Sequence, residues 1–207
     1  MILNNTTYPE AEEVFYGDVL NEGYGQGQRQ ATTLSQVLNG TITELTADDL
    51  YGLIKMRPYA GLPGLSLLVS IEFPNTLTSI GTSGISGATN LSSVKFIGNF
   101  NHLTVGRTSF ENCSSLESFQ FPVILNTTPY NSRIYALAFN NCTSLKLLDL
   151  TKVNGIVTLD NINAFSGVHQ DFKVVVPDNL YSSYLADSVW SQLASGTIVR
   201  ESDYQGG

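Results

Sequence analysis

The sequence predicts an α/β solenoid, a right-handed stack of short coils whose strands line up in one parallel sheet. Three observations predict it: one apolar spacing repeated along the chain, a composition rich in turn formers, and few charges. Of 207 residues, 42% are hydrophobic and 14% charged. That is too apolar for a disordered chain and too lightly charged for a long helical bundle. The frequent Gly, Ser, Thr and Asn favour short strands joined by many turns.

The repeat is plainest in Ser109–Leu116 and Ala138–Leu145, which read Ser-Phe-Glu-Asn-Cys-Ser-Ser-Leu and Ala-Phe-Asn-Asn-Cys-Thr-Ser-Leu. With the Phe as position zero, offsets +3, +6, +9 and +11 are apolar. Phe110, Cys113, Leu116, Phe119 and Phe121 are followed by Phe139, Cys142, Leu145, Leu148 and Leu150. Two earlier copies start at Leu62 and Ile85. A later one, Phe165, Val168, Asp171, Val174 and Val176, has a single polar fault at Asp171. Copies begin 23, 25, 29 and 26 residues apart, a period that signals stacked supersecondary units. Offsets +9 and +11 alternate as an inward-facing strand does, and Pro74, Pro122 and Pro177 end three strands at +12. Offsets 0, +3 and +6 suit a helical or 3₁₀ turn facing the same core. One coil cannot bury its apolar side alone, so Ile71, Val94, Phe119, Leu148 and Val174 are expected to stack as one inward ladder. Asp171 is expected at an edge, solvated or bonded to backbone N–H groups.

The coils occupy residues 41–176. Thr41–Lys55 reads as an opening cap, with Ile42 and Leu45 in a strand and Thr46-Ala47-Asp48-Asp49 starting a helix. Residues 177–207 read as a C-terminal helical cap and tail. Pro177 opens a helix over Asp178–Leu193, with Leu180, Tyr181, Tyr184, Leu185 and Leu193 on its inner face. Thr197–Arg200 is a last strand and Glu201–Gly207 a loose tail. Residues 1–40 carry no copy of the repeat. They combine Tyr8, Val14, Phe15, Tyr16, Val19 and Leu20 with half of the net negative charge, and read as an attachment arm. Glycines 23, 25 and 27 form a hinge ahead of a short helix at Gln28–Leu38.

Phe110–Leu116, Ala138–Leu145 and Phe73–Ile80 resemble BspA-type leucine-rich repeats. The closing stretch from Val176-Pro177-Asp178 through Tyr184 to Trp190-Ser191 is similar to the C-terminal cap often found in that family. The resemblance covers about residues 41–199. The copies at Gly61-Leu62 and Gly84-Ile85 depart from the usual Phe. It implies binding or scaffolding, as in bacterial surface adhesins and bacteriophage structural proteins, with no catalytic residues and no cofactor. The start, Met1-Ile2-Leu3-Asn4-Asn5, lacks a secretory signal pattern. A bacteriophage virion component (fibre, tail tip or capsid-attached module) is therefore the expected function, and a bacterial cell-surface adhesin the alternative. The expected partners are other virion proteins or copies of the chain, met through the arm, and a host surface glycan or protein.

Charge narrows the partners further. Residues 1–50 hold eight of the acidic groups against Arg29 alone, and the net charge is −8. No basic patch offers phosphate contacts, so nucleic acid is an unexpected partner. No run of about 18 apolar residues is present to cross a membrane. His102 and His169 lie in different copies without metal-ligand spacing and read as turn residues. Glu12-Glu13 and Asp48-Asp49 read as solvated or helix-starting pairs, and Gly23-Tyr24-Gly25-Gln26-Gly27 as a linker. Cys113 and Cys142 share one offset; they read as two buried thiols in a ladder, with a disulfide as the alternative. The outward face, Glu72, Lys95, Gln120, Asp149 and Val175 at +10 with Ser70, Ser93, Ser118, Leu147 and Lys173 at +8, is mild and lacks an aromatic platform. A Glu72–Lys95 pair is expected across it. The candidate partner contacts are Tyr8, Phe15 and Tyr16 in the arm and Tyr130 in the longest inter-copy loop.

Overall fold

In a computed structural model of the chain, residues 43–53, 55–56, 64–125 and 132–205 are described. Fourteen short strands run through them: β1 (Glu44–Leu45), β2 (Lys55–Met56), β3 (Ser70–Pro74), β4 (Ser79–Ile80), β5 (Ser93–Ile97), β6 (Asn99–Phe100), β7 (Thr104–Val105), β8 (Ser118–Gln120), β9 (Val123–Ile124), β10 (Arg133–Ile134), β11 (Leu147–Asp149), β12 (Thr158–Leu159), β13 (Lys173–Val176) and β14 (Ile198–Arg200). Every pairing among them is parallel.

The expected ladder forms in two parts. In β1-β3-β5, Leu45, Ile71 and Val94 are in register; in β8-β11-β13-β14, Phe119, Leu148, Val174 and Ile198 are. β5 and β8 are not paired, so the single sheet expected from the repeat is two. Val94 and Phe96, at that junction, are half-buried, whereas Ile71, Phe119, Leu148 and Val174 are fully buried.

A second wall escaped the sequence reading. The two-residue strands β2, β4, β7, β10 and β12 pair in order and stack Met56, Ile80, Val105, Ile134 and Leu159, all buried. All five lie five or six residues before the position-zero residue of their copy. The signal was present, but one apolar residue in a two-residue strand is too short for periodicity to stand out. Gly106 marks how tightly this wall packs. A Cβ there would come within 2.7 Å of the Ile80 carbonyl oxygen on the neighbouring coil.

Offsets 0, +3 and +6 form linked i→i+3 turns, as their spacing implies. Cys113 N–H donates to the Phe110 carbonyl (3.1 Å) and Leu116 N–H to Cys113 (3.1 Å); Cys142 and Leu145 repeat the pattern from Phe139. These turns do not merge into a helix, because offset +2 takes a left-handed conformation in the four copies from Ile85 onward. Its occupants are Gly87, Asn112, Asn141 and Gly167, with φ between 58° and 83°, the residue types that tolerate it best. The turns are tied coil to coil. Ile85 N–H reaches Ser109 O, Phe110 N–H reaches Ala138 O and Phe139 N–H reaches Ala164 O, each at 2.8 Å. Inside them, Phe110 and Phe139 stack at 5.4 Å and Phe139 and Phe165 at 6.0 Å. The helical part of the class is correspondingly thin.

Both caps differ from expectation. Thr46 and Asp49 do make a reciprocal capping pair: Thr46 N–H donates to Asp49 Oδ2 (3.0 Å) and Asp49 N–H to Thr46 Oγ1 (3.2 Å). Yet only a turn follows, ended by Gly52 at φ 81°. The continuous helix expected over Asp178–Leu193 is instead a 3₁₀ turn (Asp178–Leu180), α1 (Tyr181–Ala186) and a second 3₁₀ turn (Trp190–Gln192). Asp187 ends α1 in an extended conformation, and its carboxylate accepts the N–H groups of Val189 (2.9 Å) and Trp190 (3.0 Å). An Asp that caps the next turn cannot also continue the helix. Leu185, expected inside, is 46% exposed. Tyr184 and Trp190 are fully buried and grip one peptide segment of the last coil. Val157 N–H donates to Tyr184 Oη (3.0 Å), and Trp190 Nε1–H donates to Val157 O (2.7 Å).

Candidate functional site

The candidate contacts Tyr8, Phe15, Tyr16 and Tyr130 lie outside the described residues, as do the glycine hinge and the helix expected at Gln28–Leu38. Glu12-Glu13 lies outside them too, and the described motifs fall into structural roles. His102 lies in the loop before β7, where partial burial and nearby Lys55 lower its pKa. His169 Nδ1 accepts the N–H of Asp171 (3.1 Å) and lies 3.6 Å from that carboxylate. Asp171 is exposed, as its break in the repeat predicted, and the adjacent Phe172 fills the core instead, 5.0 Å from Phe165. Among the described residues, no group of three or more His, Cys, Asp or Glu is placed to hold a metal ion. No described helix is long and apolar enough to cross a membrane.

Cys113 and Cys142 are free and buried. Cys142 Sγ–H donates to Phe110 O (3.0 Å) and Cys113 Sγ–H to Ile85 O (3.4 Å). Burial pushes the Cys113 thiol well above its usual pKa and Cys142 up to about 12. A neutral thiol donating to a carbonyl is a structural part and a poor nucleophile.

The outward faces of the two sheets remain. Glu72 and Lys95 pair at 3.4 Å, as expected across adjacent strands. Gln120 bridges Asp149 and Lys152, with Lys152 Nζ donating to Gln120 Oε1 at 2.7 Å. Val175 was expected outward and solvated, but is 3% exposed.

The C-terminal tail differs from expectation too. Read as loose, Glu201–Asp203 is a 3₁₀ turn. Ser202 N–H donates to Asp178 Oδ1 (3.0 Å), and the Arg200 guanidinium lies 4.6 Å from the Tyr181 ring centroid. The hydrogen bonds from Ser202, backbone and then side chain, lower the Asp178 pKa. The tail is thereby carried onto the outer face. There Tyr204 and Gln205 border a groove of about 660 Å³ with Glu117, Ser118, Lys146, Leu147, Asp171 and Lys173. Neither tail residue stood out in the sequence, because nothing near them repeats; their placement depends on Asp178, 24 residues upstream of Ser202.

A model of the BspA type leucine-rich repeat region matches residues 65–182 in six copies. The chain belongs to this family. The leucine-rich repeats and their parallel strands are thus established by both the family match and the strand pairing, with six copies matched where the spacing showed five. No curated protein matches the chain. A crystal structure of a leucine-rich repeat protein from Bacteroides ovatus ATCC 8483 is similar at 21% identity, with a TM-score of 0.44. The match covers 78% of this chain and 40% of that one, so this leucine-rich repeat chain spans well under half of that protein's length.

Proposed function

We propose that this chain is a non-enzymatic recognition module that works through its leucine-rich-repeat surface and is displayed on a bacteriophage virion. In this reading the coils wind as a right-handed solenoid over 41–176, residues 177–207 close it as a cap, and the acidic segment 1–40 attaches it to other virion proteins or to copies of itself. The observation that carries the recognition role is the outward sheet face. It is polar, fixed by cross-strand pairs, and bordered by a groove, while the thiols are buried as parts of the core. Family membership supports display at a surface, and with it the second reading, a bacterial cell-surface adhesin.

Particle association separates the two readings. The chain should co-purify with virions through density-gradient centrifugation and be detected there by mass spectrometry. Recovery only from the bacterial surface fraction favours the adhesin. Screening for glycosidase, esterase and peptidase activity should show nothing above background; a reproducible activity lost on mutating His102 or His169 would overturn the non-enzymatic reading.

A further inference from the structure

The groove beneath the tail has the chemistry of a sugar site, and we propose that it binds a neutral oligosaccharide of two or three units. The proposal deepens the recognition reading above and rests on it. The groove floor is made by β11 and β13, whose outward side chains Leu147 and Lys173 share it with Ser118 of β8. Tyr204 and Gln205 form one border. A sugar ring offers an apolar C–H face and a rim of hydroxyls. It therefore needs an apolar or aromatic surface beside carboxylate, amide and ammonium groups, and this groove supplies both. Leu147 and Tyr204 provide the apolar surface; Asp171, Glu117, Gln205 and Lys146 provide acceptors and donors.

Three further observations narrow the ligand. The lining carries two carboxylates, Glu117 and Asp171, and two lysines, Lys146 and Lys173. Their charges balance, so no net field selects an anion or a cation. β11 and β13 are each paired on both sides, so an extended peptide cannot add a strand to either of them. Finally, the site is held in shape before any ligand arrives. Lys173 Nζ donates to Gly196 O (2.7 Å), Ser202 is tied to Asp178, and Tyr204 N–H donates to Glu201 O (3.3 Å). Fixing Tyr204 in advance removes part of the ordering cost of binding. The volume of about 660 Å³ falls within the ~300–1,000 Å³ common for small-ligand sites.

The test uses the full chain and a panel of maltotriose, cellotriose, xylotriose and chitotriose, read by saturation-transfer NMR and isothermal titration. At least one trisaccharide should bind. For that one, Tyr204→Ala should weaken affinity about tenfold while Tyr204→Phe retains it, because the ring and not the hydroxyl makes the face. Asp171→Asn should weaken it less, and Glu72→Gln, outside the groove, should leave it unchanged. Circular dichroism and melting of each variant exclude unfolding as the cause. No binding by any of the four sugars, or equal binding by the Tyr204→Ala protein, overturns the proposal. So does preferential binding of a uronic-acid oligomer or a peptide. Each of these outcomes leaves particle association, the test of the wider reading, unaffected.

Discussion

Phe139 shows how one residue of the repeat carries several coils. Its ring is fully buried, stacked between Phe110 and Phe165 and edge-on to Phe119 at 5.0 Å. Phe139→Ala should lower unfolding free energy by about 3–5 kcal/mol in urea titration, and Phe139→Asp by at least as much through an unpaired buried charge. Titration reports on the same core. The Cys113, Cys142 and Tyr184 protons are all held more tightly in the folded chain than in the unfolded one, chiefly because burial penalises the charged form. A raised folded pKa contributes stability that is complete below the unfolded value and is lost as pH rises past it. From an ordinary thiol value of 9.0, the melting temperature should be unaffected by these groups through neutral pH and fall above about pH 9. In native buffer at pH 8, a disulfide reagent should leave both thiols unmodified until denaturant is added. At offset +2 the backbone decides: Asn141, at φ 58°, should tolerate Gly nearly neutrally, while Ala should cost about 1–2 kcal/mol.

The C-terminal element is held less by helix propensity than by two side chains closing on Val157. Tyr184→Phe would leave the Val157 N–H, and Trp190→Phe the Val157 carbonyl, buried without a partner. Each should cost about 1–3 kcal/mol, and because both act on one residue the double variant should cost less than their sum. Equal and additive losses would show that ring packing, not the shared hydrogen-bonded segment, holds the cap. The apolar spacing that suggested one long helix over 178–193 was real in Tyr184, but Asp187 caps the following turn and so ends α1. The same limit applies to the opening cap, where the Thr46–Asp49 pair is legible in the sequence and the stop at Gly52, with φ 81°, is a property of the fold. The tail junction adds a pH signature. Asp178 has a lowered pKa from its Ser202 bonds, so that attachment is complete above the usual carboxylate value of 3.8 and is lost as pH falls through the lower folded value. Hydrogen exchange at Ser202 should accelerate there ahead of the exchange at Val174.

For the whole molecule, the attachment role proposed for residues 1–40 has a test of its own. Deleting residues 1–38 should leave the melting temperature nearly unchanged while abolishing oligomerisation or particle incorporation. A truncated chain that melts much lower yet still assembles would identify the arm as a cap on the first coil. The sequence alone determined the leucine-rich-repeat fold, the register of Ile71 with Val94 and of Phe119 with Leu148 and Val174, and the solvated position of Asp171. It could do so because each copy must present the same apolar offsets to a shared core, so the information is written several times. Only the tertiary structure decided the gap between β5 and β8, the second wall of two-residue strands, the breaks at Asp187 and the folding of the tail over the outer face. The second wall does repeat, but as one apolar residue per copy, too short to read. The breaks at Asp187 and the folded tail depend on contacts made once, between residues far apart in the chain: Val157 with Tyr184 and Trp190, and Asp178 with Ser202. A singular contact leaves no period in the sequence, and Tyr204 reaches the groove through one of them.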